Sequence, residues 1–347
     1  MTEKVLMCGN EVIGEAAIQA GCRFYAGYPI TPQNELPAYM SRRMPEEGGI
    51  FIQAESELAA INMVFGASLA GARAMTSSSS PGISLKQEGI SYLAGNELPA
   101  VIVNMMRGGP GLGNIAPSQA DYFQATKGGG HGDYNLIVFG PSTVQELADL
   151  VGTAFDLADR YRNPVLILGD GILGQMMEPV EIKKRKIKGE KDWILTGAKG
   201  RPPRVIRSLV LKEGALEKHN MHLQEKSRKM KEREILYDED RTGDAEIVLV
   251  AYGTSARIAR AALNMVRSEG IKAGMIRPVT LWPFPEKAIS NISSRIKCFL
   301  VVEMSMGQMV EDVRLAVNGT CPVHFYGRTG GGVPAVEEIS KKIKELV

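Results

Sequence analysis

The sequence is poor in cysteine, and its cysteines are not arranged as a metal site. None of them forms a Cys-x-x-Cys pair: they stand at Cys8, Cys22, Cys298 and Cys321. Zinc ribbons and ferredoxin-type clusters need closely spaced cysteines. We therefore expect no metal site in this chain, and reduced thiols of the kind found in a reducing compartment.

Long apolar runs and strong charge are also missing. No run approaches the roughly 20 apolar residues of a membrane span, and the N-terminus lacks a basic region followed by an apolar core. The net charge of +2 is too small to indicate nucleic acid or a membrane surface as the main partner. With 44% hydrophobic and 23% charged residues, the chain is typical of globular proteins, and we expect it in the cytoplasm.

The first half of the chain alternates short apolar runs with segments of helical period. The runs predicted as strands are 23–29, 49–54, 72–77, 98–105, 134–140 and 163–170. The segments predicted as helices are 11–20, 55–70 and 142–161. Such alternation predicts a parallel sheet covered by helices on both faces, which binds ligands where the strands end.

Composition changes between residues 181 and 240, which hold 17 of the 41 Lys and Arg against 11 Asp and Glu. The basic run 183–188 favours a solvated connector over a targeting patch. Apolar residues recur every seven positions in this segment, at Leu209, Leu216, Leu223 and Met230. That spacing predicts one amphipathic helix that packs on a domain or a partner.

A second alternating unit follows the connector. Strands are predicted at its start, within 246–255, and again at 272–285, 298–304 and 321–327, with helices at 256–270 and 335–346. The sequence thus predicts an α/β protein with two doubly wound domains, at 1–180 and 241–347, joined by a basic connector at 181–240.

Two glycine-rich segments resemble nucleotide or cofactor motifs but are incomplete. Residues 107–114 lack both the G-x-G-x-x-G spacing and the lysine of a P-loop. Gly-Asp-Gly at 169–171 begins the motif with which thiamine diphosphate enzymes hold Mg²⁺ and the diphosphate. The asparagine that completes it is missing from the corresponding window, 191–200. We therefore predict a turn at a strand end for 169–171.

Three polar residues stand where predicted strands end. Two prolines place Thr31 in a stiff loop, where its hydroxyl is either a helix N-cap or a ligand contact. Glu55 and Glu57 are two residues apart, so they cannot share one helix face. Acidic residues in a first helical turn commonly complement the helix dipole. The residues alone favour capping roles for these positions.

Taken together, several segments resemble one enzyme family over nearly the whole chain. The strongest are 27–32, 53–82, 106–113 and 253–285. In this order they resemble the α subunit of 2-oxoacid:ferredoxin oxidoreductases, with the connector as the weakest part. Segments 28–46 and 124–134 look most like the branched-chain (2-oxoisovalerate) enzymes, with the 2-oxoglutarate enzymes close behind.

The resemblance implies a fold and a reaction. Residues 1–180 would form a pyrimidine-binding domain for thiamine diphosphate, and residues 241–347 a domain like the C-terminal domain of transketolase. The reaction implied is oxidation of a 2-oxoacid with coenzyme A and oxidised ferredoxin to acyl-CoA, CO₂ and reduced ferredoxin. Two alternatives stay open: a non-oxidative thiamine enzyme, and a non-catalytic assembly subunit.

The resemblance also implies roles for particular residues. Glu57 takes the place of the catalytic carboxylate that contacts N1′ of the thiamine pyrimidine and so favours its imino tautomer. Thr31 and Arg107 match the pair that holds the substrate carboxylate, since arginine offers a bidentate fork. Tyr28 would line the same pocket. His131 is either near the substrate or a loop histidine bonded to its neighbours.

Further residues and chains follow from the same resemblance. The cofactor-binding residues implied, besides Glu57, are Pro29, Ile30 and Ser80. A chain without cluster cysteines or a complete Mg²⁺ motif supplies only half an active site. We therefore expect a β subunit with the diphosphate and Mg²⁺ site and a [4Fe–4S] cluster, a γ subunit, a ferredoxin-like δ subunit and ferredoxin itself, working anaerobically.

Overall fold

The computed structural model describes residues 4–185 and 191–347, and within these ranges the strands form sheets of seven, five and two strands. The strands are β1 Val5–Cys8, β2 Phe24–Gly27, β3 Ile50–Gln53, β4 Ala74–Ser78, β5 Ala100–Met106, β6 Ile137–Phe139, β7 Pro164–Asp170, β8 Met177–Val180, β9 Tyr237–Asp240, β10 Ile247–Val250, β11 Ala273–Pro278, β12 Thr280–Trp282, β13 Cys298–Glu303 and β14 Val323–Gly327. Residues 186–188, the end of the basic run, lie outside the described ranges.

Helices separate most of these strands. They are α1 Gly9–Gln19, α2 Glu35–Glu46, α3 Glu57–Leu69, α4 Ser80–Gly95, α5 Tyr122–Thr126, α6 Val144–Tyr161, α7 Gly171–Gln175, α8 Ala215–Arg233, α9 Gly253–Ser268, α10 Glu286–Ser293, α11 Met309–Val317 and α12 Val336–Lys344. None of the helices in the described ranges combines the length and apolarity that crossing a membrane requires.

The larger sheet has the order β12-β6-β7-β5-β4-β2-β3. All of its strands run parallel except β12, which pairs antiparallel with β6. Strands β5 and β7 are buried along their whole length, as expected for central strands covered on both faces. The strand order brings the ends of β2, β3, β4 and β5 to neighbouring positions on one edge.

The smaller sheet has the order β14-β13-β10-β11-β9, with β9 antiparallel at one edge. The predicted α/β class is confirmed, but two strands join sheets on the other side of the predicted domain boundaries. Strand β9 comes from the predicted connector and joins the smaller sheet, whereas β12 follows β11 and joins the larger one. β1 and β8 form the two-stranded sheet.

The amphipathic helix predicted in the connector is present as α8, but it is shorter than the heptad spacing suggested. Leu223 and Met230 are buried, in agreement with the prediction. Leu216 is 47% exposed, and Leu209 is 69% exposed and precedes the helix. The stripe therefore packs only along the second half of α8.

The two units are joined by buried hydrogen bonds around Asp170. Its Oδ1 accepts hydrogen bonds from the backbone N–H groups of Ile172 at 3.0 Å and Leu173 at 3.2 Å, which caps α7. The same oxygen accepts a bond from the Thr254 hydroxyl, at the start of α9, at 2.9 Å. Residues 169–171 lie at a strand end as predicted, but the predicted turn is wrong, because β7 runs through Asp170 and α7 begins directly at Gly171. Asp170 connects the larger sheet to the second unit.

Gln119 makes a second connection. Its side-chain Nε2 donates to the carbonyl of Tyr252 at 2.9 Å, and its Oε1 accepts from the Ser255 hydroxyl at 2.6 Å and from the Met304 N–H at 2.9 Å. Gln119 is fully buried, so each of these bonds replaces one that water would otherwise make.

We predict that Thr254→Val lowers the free energy of unfolding by about 1–3 kcal/mol, because it removes a donor from a buried carboxylate. Burial raises the pKa of Asp170, and the Thr254 hydroxyl opposes that rise by stabilising the ionised form. The penalty should therefore be largest at neutral pH and shrink as Asp170 becomes protonated. Urea unfolding at several pH values measures this, with Thr254→Ser as the control; equal losses in both variants would contradict it.

Candidate active site

Polar side chains meet where β2, β3, β4 and β5 end. Parallel strands of an α/β sheet open at this edge, and ligands bind there. We use the name strand-end site for the group formed by loop 28–34, Glu57, Ser78–Ser80 and Arg107.

Glu57 is a buried carboxylate in the first turn of α3. The N-cap is Ser56, and Glu57 is only 6% exposed, whereas Glu55 is exposed. The Ser78 hydroxyl donates to Glu57 Oε1 at 3.4 Å. A Cβ on Gly82 would lie 2.0 Å from Ser78 Oγ and 2.4 Å from Glu57 Oε1. The carboxylate therefore keeps this position only because residue 82 has no side chain.

Thr31 and Arg107 touch each other. Arg107 Nη1 donates to the Thr31 carbonyl at 3.0 Å, and Nη2 donates to the Leu112 carbonyl at 3.1 Å. The Thr31 hydroxyl accepts a bond from Asn34 at 3.3 Å. Asn34, not Thr31, is the N-cap residue of α2, so the interpretation of Thr31 as a helix cap is wrong.

Ser80 lies beneath Arg107 in a network that sequence reasoning missed. The Ser80 hydroxyl donates to Asp121 Oδ2 at 2.6 Å and accepts from the Arg107 backbone N–H at 3.0 Å. Asn104 Nδ2 donates to the same Asp121 oxygen at 2.9 Å. Burial raises the pKa of Asp121, and these two donors oppose the rise. No sequence motif links Asp121 to Ser80, because the contact depends on the fold.

A buried chain of polar groups lies behind the loop. The Tyr25 hydroxyl and the Ser77 hydroxyl are 2.6 Å apart, and Ser77 also donates to Gln33 Oε1 at 2.6 Å. Among the described residues, a few buried side-chain atoms have no hydrogen-bond partner. Those in or next to the strand-end site are Gln33 Nε2, Ser79 Oγ and Arg107 Nε. Leaving such atoms unpaired is costly, so they are suited to a polar ligand.

Sequence reasoning also did not single out Lys86, which lies on α4. This helix was not predicted, because it begins in a Ser- and Gly-rich stretch typical of a turn. The Lys86 ammonium is fully buried and donates to Thr76 Oγ1 at 3.0 Å and to the Ser77 carbonyl at 3.1 Å. Burial lowers the pKa of Lys86 to about 7, and the charge of Glu57 opposes this fall.

The remaining predicted residues lie at different distances from this site. Tyr28 and Pro29 are exposed and Ile30 is half-buried, all in the loop that carries Thr31. The structure thus places these three residues next to Thr31, with two of them open to solvent.

His131 is not brought to the strand-end site. Its carbonyl accepts from the Ser91 hydroxyl at 2.6 Å, and its ring meets Tyr92 edge-on at 6.2 Å. Ser91 follows Ser80 by eleven residues on α4, roughly 16 Å along the helix at about 1.5 Å per residue. This position fits the second alternative, a loop histidine bonded to its neighbours.

A cleft of about 720 Å³ opens beside Thr31. Its walls come from loop 28–34, the start of α2, the loop after β5, and α7 with the residue that follows it. They are mainly apolar, with Ile115, Ile172 and Met176 among the lining residues beside Glu35 and Gln175. The strand-end site therefore combines charged and hydroxyl groups with a neighbouring apolar cleft.

Two protein-family models match this chain. Residues 15–239 match the model of the pyruvate flavodoxin/ferredoxin oxidoreductase thiamine diphosphate-binding domain. The chain belongs to this family. Residues 245–339 match the model of the pyruvate:ferredoxin oxidoreductase core domain II, so the family covers both units.

Individual members of the family are similar over almost the whole chain. The ketoisovalerate oxidoreductase subunit VorB of Methanothermobacter marburgensis is 51% identical over 340 residues, which cover 97% of this chain and 96% of that protein. The 2-oxoglutarate synthase subunit KorA of the same organism is 40% identical over 374 residues, which cover 99% of each chain. The recognition of this family from the sequence is confirmed.

Solved structures support the same fold. The 2-oxoglutarate:ferredoxin oxidoreductase from Magnetococcus marinus, with 2-oxoglutarate, coenzyme A and succinyl-CoA bound, matches with a TM-score of 0.88 and 27% identity. The match covers 99% of this chain and 65% of that one, so this chain spans about two thirds of the larger protein. A split-gene transketolase matches with a TM-score of 0.62 at 14% identity, which shows the fold alone.

We predict that Gly82→Ala lowers the free energy of unfolding by about 1–3 kcal/mol, because the new methyl group collides with Ser78 and Glu57. Gly66→Ala, on the exposed side of α3 with open space around it, is the matched control. It should stabilise the protein by about 0.5–1 kcal/mol, the usual gain of alanine over glycine within a helix. Urea unfolding compares the two; a stabilising effect of both substitutions would contradict the contact.

Proposed function

We propose that this chain is the α subunit of a thiamine diphosphate-dependent 2-oxoacid:ferredoxin oxidoreductase. The enzyme converts a branched-chain 2-oxoacid, coenzyme A and oxidised ferredoxin to acyl-CoA, CO₂ and reduced ferredoxin. The observation that carries the proposal is the buried Glu57 carboxylate, held at the ends of the strands by Ser78 and Gly82 within a thiamine diphosphate-binding domain.

The residues present fit this cofactor. When bound, thiamine diphosphate would supply the nucleophilic carbon and the electron sink that decarboxylation of a 2-oxoacid requires. Glu57, which is almost completely buried, would accept a hydrogen bond from N1′ of the pyrimidine. Ser79 Oγ is buried next to it without a partner, so a polar ring can gain a bond there. Pro29, Ile30 and Ser80 would border the same cofactor.

Arg107 and Thr31 hold the substrate carboxylate. Thr31 lines the cleft, and Arg107, whose Nη1 contacts the Thr31 carbonyl, has a buried Nε without a partner. A guanidinium positions a planar carboxylate by paired hydrogen bonds, which orients the 2-oxo group. Tyr28, which is exposed in the loop that carries Thr31, would line the same pocket. We give His131 no role at the reacting atoms, given its distance from Ser80 along α4.

The branched-chain substrate rests on the comparison of relatives. The ketoisovalerate subunit VorB is 51% identical, against 40% for the 2-oxoglutarate subunit KorA. The apolar walls of the cleft beside Thr31 agree with an aliphatic side chain. A 2-oxoglutarate enzyme is the second candidate, since its curated relatives also match along the full length.

The complex extends beyond this chain. Relatives are named as subunits, and we propose a β subunit that brings the diphosphate and Mg²⁺ site and a [4Fe–4S] cluster, with γ and ferredoxin-like δ subunits and ferredoxin. Within the chain we assign 1–180 to pyrimidine binding, 181–240 to the connector and 241–347 to the transketolase-like domain. The four free cysteines are in keeping with a reducing, anaerobic cytoplasm.

The substrate is identified by viologen reduction with the complex purified anaerobically. We expect fastest reduction with 2-oxoisovalerate plus coenzyme A, slower reduction with 2-oxoglutarate, and slower again with pyruvate. Fastest reduction with 2-oxoglutarate would favour the second candidate. No reduction by a complex shown to contain thiamine diphosphate and iron would leave only a non-oxidative thiamine enzyme.

Glu57→Gln should reduce the turnover of the complex by about 10²–10⁴-fold, the range expected when a group that directs proton transfer is lost. Glu55→Gln is the matched control: its carboxylate is exposed and two residues away, so turnover should stay at the wild-type value. Viologen reduction with saturating substrate measures both. Full activity of Glu57→Gln would indicate an assembly subunit without a catalytic role.

Arg107→Lys should raise KM for the 2-oxoacid by about tenfold to a hundredfold, because lysine keeps the charge but loses the fork of charged hydrogen bonds. The affinity for thiamine diphosphate should not change, which separates substrate binding from misfolding. An unchanged KM would exclude Arg107 from the substrate site.

A further inference from the structure

Asp121, the residue that precedes α5, lies at the edge of the strand-end site. Two donors meet at one of its oxygens: the Ser80 hydroxyl donates to Oδ2 at 2.6 Å and Asn104 Nδ2 donates to the same atom at 2.9 Å. Asn104 Oδ1 in turn accepts from the backbone N–H of Ser80 at 3.0 Å. Asp121 and Asn104 therefore hold both polar hydrogens of Ser80, the first residue of α4.

The Ser80 hydroxyl connects this pair of residues to Arg107. The backbone N–H of Arg107 donates to Ser80 Oγ at 3.0 Å, and the carbonyl of Arg107 lies 3.3 Å from the same oxygen. A hydroxyl has a single proton to donate, and a carboxylate is a stronger acceptor than a carbonyl. The shorter contact with Asp121 thus takes the proton, and the lone pairs of Oγ face the Arg107 N–H.

The backbone of Arg107 determines where its guanidinium lies. Arg107 follows β5 directly, and its backbone also forms a bridge with Pro117. The guanidinium is buried and donates to the carbonyls of Thr31 and Leu112. A shift of the Arg107 backbone would move the guanidinium relative to Thr31, the other residue proposed for the substrate carboxylate.

Asp121 is itself held by the second unit. Gln308, between β13 and α11, donates from Nε2 to the carbonyl of Ala120 at 2.7 Å. The Oε1 atom of the same side chain accepts from the backbone N–H of Phe123 at 2.7 Å. These bonds fix the chain on both sides of Asp121, so its carboxylate has a rigid base.

We propose that Asp121 is a positioning residue for substrate binding: through the Ser80 hydroxyl it fixes the backbone of Arg107, and with it the guanidinium that holds the 2-oxoacid carboxylate. The inference rests on the proposed function of Arg107 and adds a residue to it. Loss of the Asp121 carboxylate lets the Ser80 proton turn to the Arg107 carbonyl and leaves Asn104 Nδ2 without its acceptor. The backbone of Arg107 then loses its fixed position.

Two substitutions at Asp121 test this role. Asp121→Ala removes the acceptor, whereas Asp121→Asn can place its amide oxygen where both donors meet and so keep both bonds. If the alanine variant does not assemble, Asp121→Ser, which is too short to reach both donors, takes its place. Asp133→Ala, at an exposed carboxylate, is the matched control.

Each variant is measured in the assembled complex by viologen reduction with 2-oxoisovalerate and coenzyme A, which gives KM and kcat. The inhibition constant of 3-methylbutanoate, which keeps the carboxylate and lacks the oxo group, reports binding at the carboxylate alone. The dissociation constant of thiamine diphosphate reports the integrity of the rest of the site.

In Asp121→Ala, KM and the inhibition constant of 3-methylbutanoate should rise together by about threefold to tenfold, the factor that corresponds to the net value of one hydrogen bond. The values of kcat and of the cofactor dissociation constant should stay within about twofold of wild type, because the change affects substrate binding only. Asp121→Asn should restore most of the affinity, and Asp133→Ala should match wild type.

The double variant Asp121→Ala, Arg107→Lys tests whether Asp121 acts through Arg107. Once lysine has replaced the guanidinium, Asp121→Ala should raise KM further by less than about twofold, since residues that act through one another are not additive. Full additivity would overturn the inference, because Asp121 would then act independently of Arg107.

Three other results would also overturn it. KM could stay unchanged in Asp121→Ala, kcat and cofactor affinity could fall together with substrate affinity, or Asp121→Asn could lose as much as Asp121→Ala. The second would indicate a structural role, and the third a role of the charge itself. If Arg107→Lys raises KM while Asp121→Ala does not, only this inference fails. If Arg107→Lys leaves KM unchanged, the proposed role of Arg107 fails first, and this inference fails with it.

Discussion

The strand-end site depends on how closely α3 approaches α4. Two glycines on α4 remove the side chains that would keep the helices apart, and the space is taken by Glu57 and Ile61 of α3. The close contact buries Glu57 almost completely, although it stands in the first turn of its helix. A carboxylate in such a place needs donors and charges nearby, and Ser78 and Lys86 come from the strand and helix that complete the same packing unit. The site is thus a consequence of the helix packing.

A second constraint ties this site to the rest of the chain. Asp170 and Gln119 stand on the larger sheet and its loops, and both make side-chain hydrogen bonds to the second unit. Strands β9 and β12 cross the predicted domain boundaries, because β9 of the predicted connector joins the smaller sheet and β12 of the predicted second domain joins the larger sheet. The second unit therefore supports the loops after β5 and β7, which border the cleft beside Thr31.

Much of the fold could be predicted because its signals are local. Apolar runs such as 98–105 and 163–170 become fully buried central strands, and the helical period of 142–161 becomes α6. Helix α4 escaped prediction since serine and glycine at its start favour turns in isolation. Those same small residues are what the packing against α3 requires. The heptad spacing of the connector predicted a buried stripe, and only part of that stripe is buried, because Leu209 and Leu216 do not pack against another element and stay exposed.

The sequence by itself determined the α/β class, the family, and the residues at strand ends that belong to recognisable motifs: Thr31, Glu57 and Arg107. These three residues can be recognised from the sequence because each lies within a continuous segment that resembles the family. Only the tertiary structure decided which distant residues complete the site. Asp121 contacts Ser80 of the site from the segment before α5, and Lys86 of α4 contacts the adjacent Ser77. His131 lies in a loop against Ser91, farther along α4. Such contacts depend on the order of strands and on helix packing, which no local pattern of residues encodes.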